Sequence, residues 1–311
     1  MVPGGWPGRL WTGVRQAALR EVPDVDEEWD SVMLGPVRPP RAATAAVEQT
    51  IHVLREALGT SETDRMSTMS TEKPTVVLVH GAFAESASWN GVIERLHRRS
   101  VEVIAAANPL RSVSGDAAYL RDVLGGIQGP VVLVGHSYGG MVITEAASGN
   151  DPVVALVYVG AFCPEHGESA LTLSTMFPGS TLSDTLVGHP LAGGGTDLRI
   201  AQDAFPSQFA ADVPVTTTVV MAATQRPVTD RALGEGLPSA VPAWRERPSW
   251  FVYGDADENI PAALQQFMAE RAGAREVRAV PGASHAISVS QPDEVAATIL
   301  AALEAVMSIA A

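Results

Sequence analysis

From Pro74 onward, short apolar runs alternate with segments whose apolar residues recur at helical spacing, the pattern of a parallel sheet flanked by helices. It predicts strands over 75–79, 101–106, 131–134, 153–159, 249–253 and 276–280. Several of these carry apolar residues at consecutive positions, as strands buried on both faces do. Helices are predicted over 89–98, 116–124, 139–147, 261–272 and 292–306. In the last of them Val295, Ile299 and Leu303 share the inward face, and Ser290 is the expected N-cap. The stretch of about 164–245 breaks the alternation: Pro, Gly, Thr and Phe are frequent, no strand is evident, and helical pieces stand only near 170–176 and 215–224. It is read as a small helical lid inserted into an α/β domain whose sheet is mostly parallel and doubly wound.

The chain changes character near Lys73. Residues 1–72 are rich in Pro, Gly and acidic residues, show no strand-like alternation and end in a polar run of linker composition. Within them Val47, Ile51, Leu54 and Leu58 recur at helical spacing between Pro40 and Gly59, which predicts one amphipathic helix over 44–58. The expected organisation is an N-terminal extension and linker over 1–72, with no role assigned to it, and one main domain over 73–311.

Composition narrows the classes. With 46% of its 311 residues hydrophobic and 18% charged, the chain is too apolar for general disorder and long enough to bury one large core. A formal charge of −14, with no basic face to offset it, repels a phosphate backbone, so nucleic acid is not an expected partner. The single cysteine, Cys163, permits no intrachain disulfide and no thiolate metal site, and it is read as a packed residue. No run of about 18 apolar residues occurs and the first residues lack an apolar signal region, so no membrane partner is expected and the location is read as cytoplasmic. A homodimer is compatible with all of this.

Gly135-His136-Ser137-Tyr138-Gly139 is a G-x-S-x-G pentapeptide. Such a pentapeptide recurs by chance, but here it follows an apolar strand and opens a helix. That context puts a serine on a strained turn at the carboxyl end of a sheet, above a helix N-terminus that favours developing negative charge. His80-Gly81-Ala82-Phe83 directly follows the strand over 75–79, at the same edge. A tetrahedral acyl intermediate needs two preorganised N–H donors for its oxyanion, and the backbone groups of Ala82 and Tyr138 are assigned to it. His80 is read as bracing this loop rather than moving protons.

Serine needs a base, usually a histidine held in one tautomer by a carboxylate. Of the seven histidines, His285 lies between the last predicted strand and the last helix, at the sheet edge where Ser137 emerges. His52 lies in the extension, His97 on a polar helix face, and His166 and His189 in the lid. For the acid, Asp255, Asp257 and Glu258 compete within four residues after the strand over 249–253. Asp257 fits best, three residues after Gly254 and four before Pro261; Asp255 suits the turn, and Glu165, after the preceding strand, stands in reserve. The order serine, acid, histidine is the one used by α/β-hydrolases.

With these motifs, the chain from Pro74 to its end, about three quarters of its length, resembles the α/β-hydrolase superfamily. Within it, the chain looks like small bacterial esterase-like proteins similar to plant methylesterases and hydroxynitrile lyases. The resemblance rests on Val77-Leu-Val-His-Gly-Ala-Phe-Ala-Glu-Ser-Ala-Ser-Trp89 and Val132-Leu-Val-Gly-His-Ser-Tyr-Gly-Gly140. Met221-Ala-Ala-Thr-Gln-Arg-Pro227, Phe267-Met-Ala-Glu-Arg-Ala-Gly273 and Ser284-His-Ala-Ile-Ser-Val-Ser-Gln-Pro292 add to it. It implies a carboxylesterase that needs no cofactor or metal, with Ser137, Asp257 and His285 as its triad, acting on small-molecule esters. Such proteins usually begin near the position of Met66 or Met69 here, so the resemblance does not extend to the residues before them.

Rival activities use the same scaffold. A hydroxynitrile lyase would need a lysine near the acid and histidine, and none occurs between Asp257 and His285. A dehalogenase would carry a carboxylate in place of Ser137. Acyl transfer and perhydrolysis stay open, because they differ only in the nucleophile that reaches the acyl-enzyme. So does a small-ligand receptor on a hydrolase scaffold. Phe83, Met176, Phe177 and Met221, with Phe205 and Phe209, are candidates to line an apolar acyl or aryl pocket. The first 65 residues are expected to be dispensable for folding: a chain starting at Met66 should melt within a few degrees of the full chain, and insolubility of the shorter chain would count against this.

Overall fold

The computed structural model describes residues 73–310. The predicted extension, its helix over 44–58 and His52 lie outside the described residues. The chain enters through β1 (Thr75–Val79), α1 (Asn90–Arg98), β2 (Val103–Ala106), α2 (Val113–Gly125), β3 (Val131–His136), α3 (Gly139–Ala147) and β4 (Val153–Val159). An insertion follows, with α4 (Ala170–Ser174), β5 (Leu186–Pro190), β6 (Thr196–Ile200), α5 (Phe205–Phe209), α6 (Val215–Thr224), β7 (Val228–Thr229) and α7 (Asp230–Gly234). The chain then returns to the sheet through β8 (Ser249–Gly254), α8 (Ala262–Arg271), β9 (Glu276–Val280), α9 (Ile287–Ser290) and α10 (Pro292–Ala310).

Six strands form one sheet in the order β2-β1-β3-β4-β8-β9, each neighbouring pair parallel. Successive side chains along a strand point to opposite faces, so an unbroken apolar run builds two cores at once. In β3, Val131 and Leu133 enter the core shared with α2, α3 and α8, whereas Val132 and Val134 enter the core shared with α1 and α10. This is the parallel sheet flanked by helices expected from the alternating pattern, in the α/β-hydrolase arrangement that the resemblance implied. The register pairs Val79 of β1 with Gly135 of β3, and His136 with Val159 of β4, so the loops leaving these strands emerge at one edge. Among the described residues, no helix is long and apolar enough to cross a membrane.

The insertion corrects one expectation. It is not purely helical: β5, β6 and β7 form a three-stranded antiparallel sheet. Gly188 and Pro190 weaken the strand signal in β5, and the hairpin turns through Gly194 and Gly195, both with positive φ (89° and 83°). A glycine-bearing loop of this length between two short runs was the available signal. Smaller corrections concern element ends. The first crossover strand starts at Val103 rather than 101, and α2 starts at Val113 because the Ser112 hydroxyl caps it, accepting from the Gly115 N–H at 3.1 Å. Ser290 is not the cap of α10; it ends α9, and its hydroxyl donates to the Ala286 carbonyl at 3.4 Å.

Leu133 is fully buried in the middle of β3, so Leu133→Ala should lower unfolding free energy by about 2–5 kcal/mol, read from the urea midpoint. Val187, 56% exposed on β5, should tolerate alanine within about 0.5 kcal/mol.

Candidate active site

Ser137 is the last residue before the helical turn of Tyr138 and α3, and it takes φ 54°, the left-handed region that L-residues avoid. The strain is held by close backbone approach. A Cβ on Gly139 would lie 2.5 Å from the Val79 carbonyl oxygen, and one on Gly81 would lie 2.6 Å from the Ser137 Cβ. Only glycine at both positions lets the loop after β1 sit against the serine. Ser137, Ala82 and Tyr138 all line one cavity of about 340 Å³. Among the described residues, neither the Ala82 nor the Tyr138 N–H has an acceptor, although the neighbouring Phe83 N–H donates to the Arg226 carbonyl at 3.1 Å. Tyr138 is anchored from its far end: its hydroxyl donates to Asp116 Oδ2 at 2.9 Å. Burial pushes the Asp116 carboxyl up, against the pull of the Arg111 N–H and the Tyr138 hydroxyl.

His285 stands in the loop after β9, fully enclosed, with Nδ1 2.7 Å from Asp257 Oδ2. Asp257 Oδ1 accepts from the backbone N–H groups of Asn259 (2.8 Å) and Ile260 (2.9 Å), and Oδ2 also accepts from Gln265 Nε2 at 3.2 Å. A carboxylate so surrounded by donors is an acceptor toward the ring, so His285 carries its proton on Nδ1 and presents a lone pair on Nε2. That Nε2 is buried and without a partner among the described residues. No hydrogen bond joins it to the Ser137 hydroxyl; such contacts often tighten only when substrate binds.

The structure brings Asp257 and His285 together and puts Ser137, Ala82 and Tyr138 on one cavity wall. Phe83 and Phe177 line the same cavity. Met176 does not: it is 45% exposed after α4. Met221 lines a different cavity, and Phe205 and Phe209 stack on each other at 4.9 Å as buried core. Asp255 accepts from the Gly282 N–H at 2.6 Å and so braces the turn before His285, while Glu165 pairs with Arg245. Cys163 is buried, its thiol pushed up by burial. Among the described residues, no group of three or more His, Cys, Asp or Glu is placed to hold a metal ion.

Three contacts at this edge went unread in the sequence. His136 donates from Nε2 to the His285 carbonyl at 3.0 Å, with the two rings 4.8 Å apart. Its place inside the pentapeptide was the signal. Phe209 packs edge-on against His285 at 4.9 Å, and its carbonyl accepts from the Ala286 N–H at 2.9 Å. Gln265, on α8, had no sequence signal as the third donor to Asp257. His80 braces its loop, donating from Nδ1 to the Gly81 carbonyl at 2.9 Å and accepting on Nε2 from the Asn108 N–H at 3.0 Å.

Residues 76–298 match the Alpha/beta hydrolase family, and the chain belongs to it. It is similar to the Carbendazim hydrolyzing esterase of Nocardioides sp. (strain SG-4G), 39% identical over 113 residues, which make up 31% of this chain and 46% of that one. The match thus spans about half the length of that relative. It is also similar to the Alpha/beta hydrolase nvfD of Aspergillus novofumigatus (strain IBT 16806), 28% identical over 242 residues, 71% of this chain and 93% of that one. Among solved structures, polyneuridine aldehyde esterase superposes with a TM-score of 0.64 over 74% of this chain and 99% of its own, at 20% identity, a likeness of fold.

The buried histidines make the fold sensitive to acid. Burial lowers His80 from 6.5 to about 4, and it lowers His136 as well, with the nearby His285 adding to that effect. A histidine whose folded value lies below its unfolded one protonates first in the unfolded chain, so stability falls as pH drops from about 6.5 toward about 4. The melting temperature should therefore decline over that window. His80→Gln should flatten the decline; an unchanged slope would mean that His80 does not contribute.

Proposed function

We propose that the protein is a carboxylic ester hydrolase acting through Ser137, His285 and Asp257, with the Ala82 and Tyr138 N–H groups as its oxyanion hole. The observation that carries this reading is the buried His285 Nε2, its ring held by Asp257 at 2.7 Å and without a partner among the described residues, at the sheet edge where Ser137 emerges. The 39% identity to an esterase over 113 residues supports the same class. All five groups lie in the domain over 73–311, with the lid over about 164–245. The lone Cys163 and the charge of −14 support a cytoplasmic protein that takes small-molecule esters rather than nucleic acid.

In the first half-reaction the Ser137 hydroxyl oxygen bonds to the ester carbonyl carbon as its proton passes to His285 Nε2. The carbonyl oxygen becomes an oxyanion and meets the two N–H donors, each worth about 3 kcal/mol to the barrier. The bond from carbon to the alcohol oxygen then breaks, and the imidazolium returns the proton to that oxygen. Water repeats the sequence on the acyl-enzyme, releasing the acid and restoring Ser137. An acyl acceptor other than water would give transfer by the same steps.

Hydrolysis of p-nitrophenyl acetate or butyrate should proceed and be lost in Ser137→Ala and in His285→Ala. Asp257→Asn should lower turnover by up to about 10⁴, because the amide stabilises the wrong tautomer, while Asp255→Asn and Glu165→Gln should cost far less. Turnover surviving in Ser137→Ala beyond a few per cent would refute the nucleophile, and a crippled Glu165→Gln would move the acid to the end of β4.

A further inference from the structure

A second cavity, of about 230 Å³, shares the wall residue Phe83 with the one that holds Ser137. Its apolar walls are Phe83 and Ala84 from the loop after β1, Val220 and Met221 from α6, and Val289 from α9. Among the described residues Phe83 alone lines both cavities. The residue is 3% exposed and its backbone sits at φ 60°, a conformation that is an outlier for a bulky residue and is pinned by the Arg226 carbonyl. Strain of this kind, stored next to the Ala82 N–H, sets a rigid partition one residue from where an ester carbonyl oxygen would bind.

Resting on the ester-hydrolase reading, we propose that Phe83 divides the substrate: the cavity of Ser137 takes the acyl chain, and the second cavity takes an apolar, aryl-sized alcohol or phenol. The direction follows from proton delivery. The leaving oxygen must receive its proton from His285 Nε2, so the alcohol departs on the His285 side. The second cavity is the one walled by α9, whose Val289 stands four residues after His285. The first is walled instead by α4, the segment after it and Ile260. The protein is thereby selective on both halves of its ester and favours a bulky leaving group over methanol or ethanol.

The test uses two ester series: methyl against 2-naphthyl butyrate, which varies the alcohol, and methyl butyrate against methyl octanoate, which varies the acyl chain. Met221→Trp narrows the second cavity and Leu171→Trp the first. Val220→Trp, at a 60% exposed position, serves should Met221→Trp misfold. Filling the second cavity should lower the naphthyl-to-methyl ratio of kcat/KM by about tenfold or more and leave the octanoate-to-butyrate ratio within about twofold; Leu171→Trp should do the reverse. Phe83→Ala should weaken both preferences. Unchanged ratios, or an acyl-length effect from the Met221 and Val220 variants, would overturn the assignment. Residual hydrolysis in Ser137→Ala is a different result, and it would remove the underlying reading instead.

Discussion

Ser137 stands at φ 54° where β3 gives way to α3, and holding that left-handed residue obliges backbone to approach backbone on two sides. The Val79 carbonyl comes so close to Gly139 that no Cβ fits between them, and Ser137 itself presses on Gly81. A local turn could not impose this alone. It requires β1 and β3 to be neighbours in register, which the pairing of Val79 with Gly135 provides, and a helix to start immediately beyond. The strain, of the order of 1–3 kcal/mol, is therefore borne by the central strands of the sheet, the part of the fold most deeply enclosed by both cores.

Around that serine, buried hydrogen bonds converge on Asp257 and on three histidines. Asp257 is met by two backbone donors, a glutamine and His285. His136 reaches across to the His285 carbonyl, and His80 ties the loop of Ala82 to Asn108. Enclosure keeps His80 and His136 neutral, so His80 through both ring nitrogens and His136 through Nε2 hold loops in place by hydrogen bonding. Among the described residues two histidine nitrogens at the same edge, His136 Nδ1 and His285 Nε2, are buried with nothing to bond, and of the two rings only that of His285 is held by a carboxylate. In a site of low polarity, such a lone pair is costly unless a reacting group meets it.

The insertion does more than cover the sheet edge. Its Arg226 carbonyl holds Phe83 in a strained conformation, its Phe209 carbonyl ties down the residue after His285, and Asp197 on β6 accepts from Arg111 Nη1 at 2.6 Å. Arg111 in turn offers its backbone N–H to Asp116, the residue that anchors Tyr138. The same segment that shapes the cavities therefore also positions the loops that would carry the chemistry.

How far all this could be read in advance depends on distance along the chain. The parallel sheet was legible because its strands are apolar at consecutive positions, a pattern set residue by residue. The glycine-flanked turn was legible because Gly135 to Gly139 ends β3 and opens α3, and the bonded pair Asp257 and His285 because each sits in the first loop after a strand. The sheet in the insertion was not, since β5 carries Gly188 and Pro190 and is held by pairing with β6 rather than by its own propensity. Nor were Gln265 and Phe209, whose contacts with Asp257 and His285 join residues distant in sequence or on separate elements. The two cavities and the partition between them exist only where α6, α9 and the loop after β1 converge. Local patterns are written in neighbouring residues, so the chain by itself determined the kind of scaffold and which polar residues stand in the loops at its sheet edge. Shape arises from surfaces brought together across the fold, so the tertiary structure alone decided what those atoms face.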